Sequence, residues 1–333
     1  MSSVPPDEIV RDARWLAQAL DPLSGMLRLV RMDPEAYRSA SFLDDRILQG
    51  PHEAQIVSWN SVAEALSPFA RVDAGWIFHI GHVGSTLVAR LLGEIEGVLS
   101  VREPRSLRDL AALPEDQRAT FVPGLQRLMS RTFNQSETAL VKATSFVSEI
   151  AAELVPAGGR ALFLHASPRN YIASILAGQN SLKELTALMA ARAQRLASRA
   201  VYPPPRNESE AAAAAWACEM TSLEAAADVL GENALWADFD RHLEDLPAGL
   251  VEFAGHFGFD VSAQRIEEIA TGPLTRRYAK APEFDYSPAV RRDLIVSTAE
   301  RNRADVDAAI AILHSTAAKA PLLARALERT KED

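Results

Sequence analysis

The chain of 333 residues holds a single cysteine, Cys218. No internal disulfide and no cysteine-rich metal site can be built from it. Among alanines it reads as a small helix residue. Positive charge is not in excess: the formal net charge is −9, whereas broad nucleic-acid binding needs a basic face. A local basic pocket for one small anion stays open. No apolar run is long enough to span a membrane, and the alanine-rich stretch from Ala211 is soon broken by Glu219. The opening residues, MSSVPPDEIVRDARW, lack the basic end and apolar run of a signal peptide. No internal repeat is present. These absences lead to the expectation of a soluble cytoplasmic protein with neither nucleic acid nor membrane as partner. The hydrophobic fraction of 48% suits a packed core, and the length suits one large domain with additions, or two domains.

What is there divides by pattern. Residues 1–75 read mainly helical: Val10, Trp15, Leu16 and Leu20 recur at helical spacing, and Asp33-Pro34 looks like an N-cap followed by proline at the first helical position. A helical layer packed on the main domain is expected here. From Trp76 the pattern becomes strand–helix alternation, the mark of a mostly parallel sheet. Short apolar runs at 76–80, 98–101, 139–142, 161–164 and 234–237 are the strand candidates. Two long helices, 182–201 and 208–230, are joined by Pro203-Pro204-Pro205 and read as an insertion, either a lid or an interaction surface. Ser287-Pro288 caps a C-terminal helical segment, 287–333, in which Val306, Ile310 and Leu313 share a face. Residues 76–286 thus form an α/β domain with a P-loop-type, mostly parallel central sheet flanked by helices.

The stretch Trp76 to Leu92 carries the chemistry. An apolar strand enters the turn Gly81-His82-Val83-Gly84-Ser85-Thr86, and a helix opens with Leu87. Strand, glycine turn and helix in that order make a cradle for an anion, because the first helical N–H groups have no carbonyl partner. The common nucleotide loop, G-x-x-x-x-G-K-[ST], uses its lysine on the β- and γ-phosphates. No lysine follows Gly84 and the loop is shorter, which weighs against a kinase or NTPase. The plain alternative is an ordinary strand–helix turn with a serine cap. His79 reads as a satisfied core histidine. With His82 it finds no third ligand at a readable spacing, so no metal is expected.

The shorter loop with Gly84-Ser85-Thr86-Leu87 resembles the phosphosulfate loop of sulfotransferases that use 3′-phosphoadenosine 5′-phosphosulfate (PAPS), and is closer to their bacterial and Golgi-type branches. The resemblance runs from about Trp76 to Lys280. It implies a P-loop fold, PAPS as donor, and no metal. His82 stands where the family has lysine or arginine on the leaving phosphate, and Gly81 where it has proline. A second fingerprint falls at Ala166-Ser167-Pro168-Arg169-Asn170, with Ser174 in register. The resemblance assigns Ser174 to the 3′-phosphate, but Ala166 replaces the arginine that shares that task. Glu103, just after the second strand, matches the catalytic base of the protein-tyrosine branch. Lys142 matches a lysine at a strand exit, near the acceptor or the loop. Arg276, Arg277 and Lys280 match a late basic loop on the 3′-phosphate and offer cations in place of the missing arginine.

Each assignment has a plain counterpart. Glu103 is either a base or one member of a surface charge cluster with Arg102 and Arg105. His82 is either an imidazolium on the leaving group or an exposed loop histidine. Ser174 is either a phosphate ligand or a small helix residue under the loop. Arg169 contacts the donor, or caps a helix, or pairs with an acidic neighbour. Arg276, Arg277 and Lys280 are a phosphate clamp or a solvated charge run. The expected activity is sulfuryl transfer from PAPS to a hydroxyl or amine. The alternatives are a nucleotide-dependent kinase or NTPase, and an inactive nucleotide- or protein-binding relative. The acceptor and the oligomeric state are left open.

Overall fold

The computed structural model describes residues 4–275 and 287–331. Its first part corrects the helical expectation. After a short helix α1 (Pro6–Arg11), β1 (Trp15–Asp21) and β2 (Met26–Arg31) form an antiparallel hairpin, and β3 (Ala54–Ser58) pairs with β2. Asp21 closes the hairpin by accepting the N–H groups of Leu23 and Ser24, and Gly25 takes the left-handed backbone the turn needs (φ 63°). The run Trp15–Leu20 is buried on both faces, so it shows no alternation. A fully buried strand and a buried helix look alike by periodicity, and the spacing of Trp15, Leu16 and Leu20 misled for that reason. The cap at Asp33 is observed: its carboxylate accepts the Ala36 N–H at 2.8 Å and opens α2 (Pro34–Ser39). That helix closes at Ser39, and a separate helix α3 (Trp59–Ala65) follows β3.

The main sheet follows the sequence reading closely. Its strands are β4 (Gly75–His79), β5 (Val98–Arg102), β6 (Thr138–Lys142), β7 (Ala161–His165) and β8 (Ala234–Asp238), all parallel, in the order β5-β6-β4-β7-β8. The helices α4 (Ser85–Leu92), α5 (Arg105–Ala111), α6 (Glu115–Arg118), α7 (Val122–Met129), α8 (Ala151–Leu154) and α9 (Pro168–Leu176) lie in the connections. This is the expected P-loop-type α/β architecture. β4 and β7 are buried at every position, as strands covered by helices on both faces must be. Every strand ends on a polar residue: His79, Arg102, Lys142, His165 and Asp238. Parallel pairing puts all five on one edge, where open α/β sheets bind ligands.

The pair α10 (Gln179–Leu196) and α11 (Glu208–Leu230) does not form a lid set apart from the domain. α11 is buried along most of its length and packs on α8, α9 and α10. Its Trp216 indole N–H donates to the Ala166 carbonyl at 3.0 Å. Runs of alanine let neighbours approach closely, and the same runs hid the helix's central position from a hydrophobic-pattern reading. After α12 (Phe239–Glu244), α13 (Leu246–Phe257) and α14 (Ala263–Ala270) come α15 (Pro288–Arg301), α16 (Arg303–Ala317) and α17 (Pro321–Arg329). Ser287 caps α15 as expected, and Val306 and Leu313 are buried on α16. Leu323, Ala326 and Leu327 are buried where α17 packs against the body.

Arg102, at the end of β5, fastens α2 and the segment after it to the main sheet. Its guanidinium is 2% exposed and donates to the carbonyls of Tyr37, Ala40 (3.0 Å) and Ser100 (3.3 Å), while its own carbonyl accepts the Leu43 N–H at 2.7 Å. A cation at the carbonyl end of α2 is favoured by the helix dipole. Arg102→Met would leave those buried carbonyls without donors. A loss of about 2–4 kcal/mol is expected in urea denaturation, with the first proteolytic cuts moving into residues 1–50.

Candidate active site

Three loop residues take left-handed backbone: Gly81 (φ 90°), His82 (φ 57°) and Gly84 (φ 61°). The two glycines do what the sequence reading asked of them. His82 does it without a glycine's freedom, at a cost of about 1–3 kcal/mol. His79 explains how the loop is held. Its Nδ1 accepts the Gly81 N–H at 2.9 Å, so its Nε2 carries the proton and donates to the Ala143 carbonyl at 3.0 Å. It is a neutral core histidine, as expected, and it ties the start of the loop to the exit of β6.

α4 begins at Ser85 with no side-chain cap. Ser85, Thr86 and Leu87 are all buried, as is Val83. The Thr86 hydroxyl is buried with no hydrogen-bond partner among the described residues. An orphaned hydroxyl at a helix N-terminus is a fit for an anion's oxygen. A second buried hydroxyl with no hydrogen-bond partner among the described residues, Thr144 Oγ1, follows the exit of β6, and Ser145 Oγ lies beside Gly81. The sequence reading passed over both. They were detectable only as polar residues directly after a strand that already ended in Lys142.

Glu103 and Lys142 meet at the exits of β5 and β6. The Lys142 ammonium is wholly buried and ion-paired with the Glu103 carboxylate, and the Glu103 N–H donates to the Lys142 carbonyl at 2.7 Å. Glu103 is left-handed (φ 55°). His82 and Glu103 are the two non-glycine residues with positive φ among those described, and both stand at this edge. Arg46, from the N-terminal layer, reaches within 3.8 Å of Glu103 and stacks on Phe42 at 3.4 Å. Arg105 pairs elsewhere, with Asp45 and Asp109. The cluster of Arg102, Glu103 and Arg105 expected as one possibility therefore does not form. Glu103 turns inward to Lys142 instead.

The far side of the loop is covered. Phe239, at the start of α12, lies so close to Gly84 that a Cβ built there would be 1.9 Å from its Cζ. Arg291 of α15 donates to the His82 carbonyl at 3.1 Å and to Asp240 at 3.0 Å, and Asn170 donates to the other Asp240 oxygen at 3.0 Å. Ser181, at the head of α10, places its Oγ 3.5 Å from His82 Nδ1. A cavity of about 520 Å³ opens next to this roof, lined by Asn170, Asp240, Arg241, Arg291, Arg292 and Arg329 among others. Arg291 carried no motif and went unnoticed in the sequence.

The remaining candidates are scattered. The Ser174 hydroxyl donates to the Tyr171 carbonyl of its own helix at 2.8 Å. Arg169 pairs with Asp307 on the surface at 2.6 Å, the acidic-neighbour alternative. Arg276, Arg277 and Lys280 lie outside the described residues. His165 packs edge-on against Trp236, and its buried Nδ1 has no hydrogen-bond partner among the described residues, Asp238 standing 3.9 Å away. Burial, then the charges of Arg329 and His242, push its pKa down to about 3. A histidine that resists protonation only when folded contributes stability above its unfolded pKa of about 6.5 and loses it as pH falls. Between pH 6.5 and 5 the unfolding free energy should drop by about 2 kcal/mol on this account. Burial raises the pKa of Asp238 and works the opposite way at the acid end. The check is therefore the difference between the wild-type curve and that of His165→Gln, which should be flatter.

No known family profile matches the chain, and no curated protein does. Among solved structures it is similar to the sulfotransferase domain from the curacin biosynthetic pathway, at 12% identity and a TM-score of 0.40, covering 67% of this chain and 87% of that one. It is similar also to mouse sulfotransferase SULT7A1 complexed with PAP, at 12% identity and a TM-score of 0.41, covering 79% and 90%.

Proposed function

We propose that the chain moves a sulfuryl group from PAPS to a hydroxyl or amine acceptor. One convergence supports the reading. A helix N-terminus with a buried, unpartnered hydroxyl, Thr86, and a carboxylate–ammonium pair, Glu103–Lys142, stand at the exits of three adjacent strands. Strands lie about 4.8 Å apart, so the pair is roughly 5–10 Å from the loop.

The N–H groups of Gly84, Ser85 and Thr86, with the Thr86 hydroxyl, would hold the 5′ end of the donor, which supplies a sulfuryl group on a phosphate leaving group. Glu103 takes the proton that the acceptor gives up as its oxygen or nitrogen bonds to sulfur. Lys142 holds that carboxylate in place. The loop N–H groups and His82 face the charge that grows on the phosphate oxygen as its bond to sulfur breaks. Arg241, Arg291 and Arg292 line the neighbouring cavity, and a second phosphate there, where Ala166 offers no cation, would compete with Asp240 for Arg291 and with Glu244 for Arg292.

A second reading, a non-catalytic nucleotide- or protein-binding relative, is favoured by the roof: Ser85 and Thr86 are buried, and Phe239 presses on Gly84. A Mg²⁺-dependent kinase has less support. Asp238, which ends β8, uses one carboxylate oxygen to cap α12 through the N–H groups of Asp240 and Arg241. Thermal shift separates the three. Stabilisation by adenosine 3′,5′-bisphosphate, and not by ATP or GTP with Mg²⁺, is expected. Stabilisation by the triphosphates alone would select the kinase, and no response would select the second reading.

A further inference from the structure

Three helices far apart in the sequence meet at one carboxylate. Asp240, in the first turn of α12, accepts the Asn170 side-chain amide of α9 on one oxygen and Arg291 Nε of α15 on the other, both at 3.0 Å. A second arm of the same guanidinium, Nη2, donates to the His82 carbonyl at 3.1 Å. The helix that carries Arg291 is firmly placed. Ser287 caps it by accepting the Val290 N–H, and its Ile295 and Ala299 pack on Ala173 of α9, one turn beyond Asn170. The Arg291 and Asp240 side chains are 16% and 24% exposed, so water and salt screen the pair weakly.

Two features set Arg291 apart from a cation waiting for a phosphate. Its Nε–Nη2 edge is the one that forks onto an oxyanion, and that edge already serves two different oxygens. Its target is the strained part of the loop. His82 is left-handed without a glycine's freedom, and Gly84 is left-handed two residues on. Left-handed residues set among ordinary ones gather successive N–H groups into a concavity that takes anions. The peptide group between His82 and Val83 is planar and trans, so a carbonyl drawn toward α15 sends the Val83 N–H the opposite way. Were that peptide to turn over, a carbonyl would stand in place of the N–H, and a carbonyl repels an anion. Costly backbone persists where its surroundings over-determine it. The Arg291 guanidinium also lies 5.2 Å from the Phe239 ring, which presses on Gly84. One side chain thus backs the loop at His82 directly and at Gly84 through the ring.

We propose that Arg291 is a positioning residue for the loop: anchored by Asp240 and Asn170, it holds the His82–Val83 peptide so that the Val83 N–H joins those of Gly84, Ser85 and Thr86 as a donor to the anion. This role rests on the loop being the donor site. It also changes the part Arg291 plays there. The guanidinium shapes the loop and does not itself take a phosphate.

The test uses the full chain and two readouts: affinity for adenosine 3′,5′-bisphosphate by calorimetry, and hydrogen exchange of the 81–86 amides with no ligand present. Arg291→Met should weaken the bisphosphate about tenfold or more and speed exchange in the loop by about the same factor. Arg291→Lys keeps the charge, but one ammonium cannot fork to both Asp240 and His82, so it should weaken binding nearly as much. Asp240→Ala removes a negative charge, which by itself favours an anion, yet it frees the anchor and should weaken binding about threefold or more. Circular dichroism confirms that each variant is folded. Wild-type affinity in Arg291→Lys, or tighter binding by Asp240→Ala, would make Arg291 a phosphate cation and overturn the positioning role. Wild-type affinity in all three variants would overturn it too. A wild type that does not bind the bisphosphate would instead overturn the donor reading. Exchange would then decide the hold on the loop, supporting it if faster in Arg291→Met and Arg291→Lys and overturning it if unchanged.

Discussion

Glu103→Gln is expected to lower the unfolding free energy by about 3–5 kcal/mol, because it removes the carboxylate that neutralises a wholly buried ammonium. Lys142→Met removes the other partner and should cost a similar amount, since the Glu103 side chain is only 11% exposed. The double variant Glu103→Gln/Lys142→Met takes away both charges at once. It should recover most of the lost stability, as the replacement of buried ion pairs by uncharged groups generally does. Catalysis should not follow stability. If Glu103 is the base, all three variants lose sulfuryl transfer by about 10²–10⁴-fold, however well the double variant folds. A double variant that is both stable and active would end the assignment of Glu103 as base and leave the pair a structural one. The measurements are urea denaturation and single-turnover transfer to a phenol.

Gly84→Ala carries the second large effect. Two causes act together: a left-handed backbone, and a Cβ placed 1.9 Å from Phe239 Cζ. The first costs about 1–2 kcal/mol and the second about 1–3 kcal/mol, since Phe239 is buried and its ring has little room to retreat. Phe239→Ala alone opens a cavity and is itself destabilising by about 3–5 kcal/mol. In the combined variant the overlap disappears and the left-handed cost remains. The loss in Gly84→Ala/Phe239→Ala should therefore be smaller than the sum by about 1–3 kcal/mol. Simple additivity, read from denaturation midpoints at constant slope, would mean that the ring does not press on the loop. Phe239→Ala also bears on the roof: if the ring stands in the way of the loop amides, that variant should bind adenosine 3′,5′-bisphosphate more tightly than the wild type.

The resemblance assigned functions to positions with uneven success. Ser174 was reached by counting from Pro168-Arg169, and its hydroxyl turns back onto its own helix. Register along a helix says which residue occupies a place, not which way a small hydroxyl rotates. Arg169 fell in register too, yet it is taken by Asp307, whose helix enters from 138 residues away. Arg291, which does touch the loop, has no motif around it because its target is a backbone carbonyl.

The sequence by itself determined the five strands of the main sheet and the loop after the first of them. These are local facts: a strand covered on both faces must be apolar throughout, and a chain leaving the sheet must meet water or a ligand. The caps at Asp33 and Ser287 were legible for the same reason, since the bonds that define them span three residues. The strand order belongs to the tertiary structure alone. It puts β6 between β4 and β5, and so brings Lys142 onto Glu103, 39 residues earlier, and both toward the loop. The same holds for β1, buried from Trp15 to Leu20, for α11 packed among the other helices, and for Arg291 meeting His82 across 209 residues. Such contacts are chosen by which surfaces exclude water together when the chain closes. A linear pattern carries each surface but not its mate.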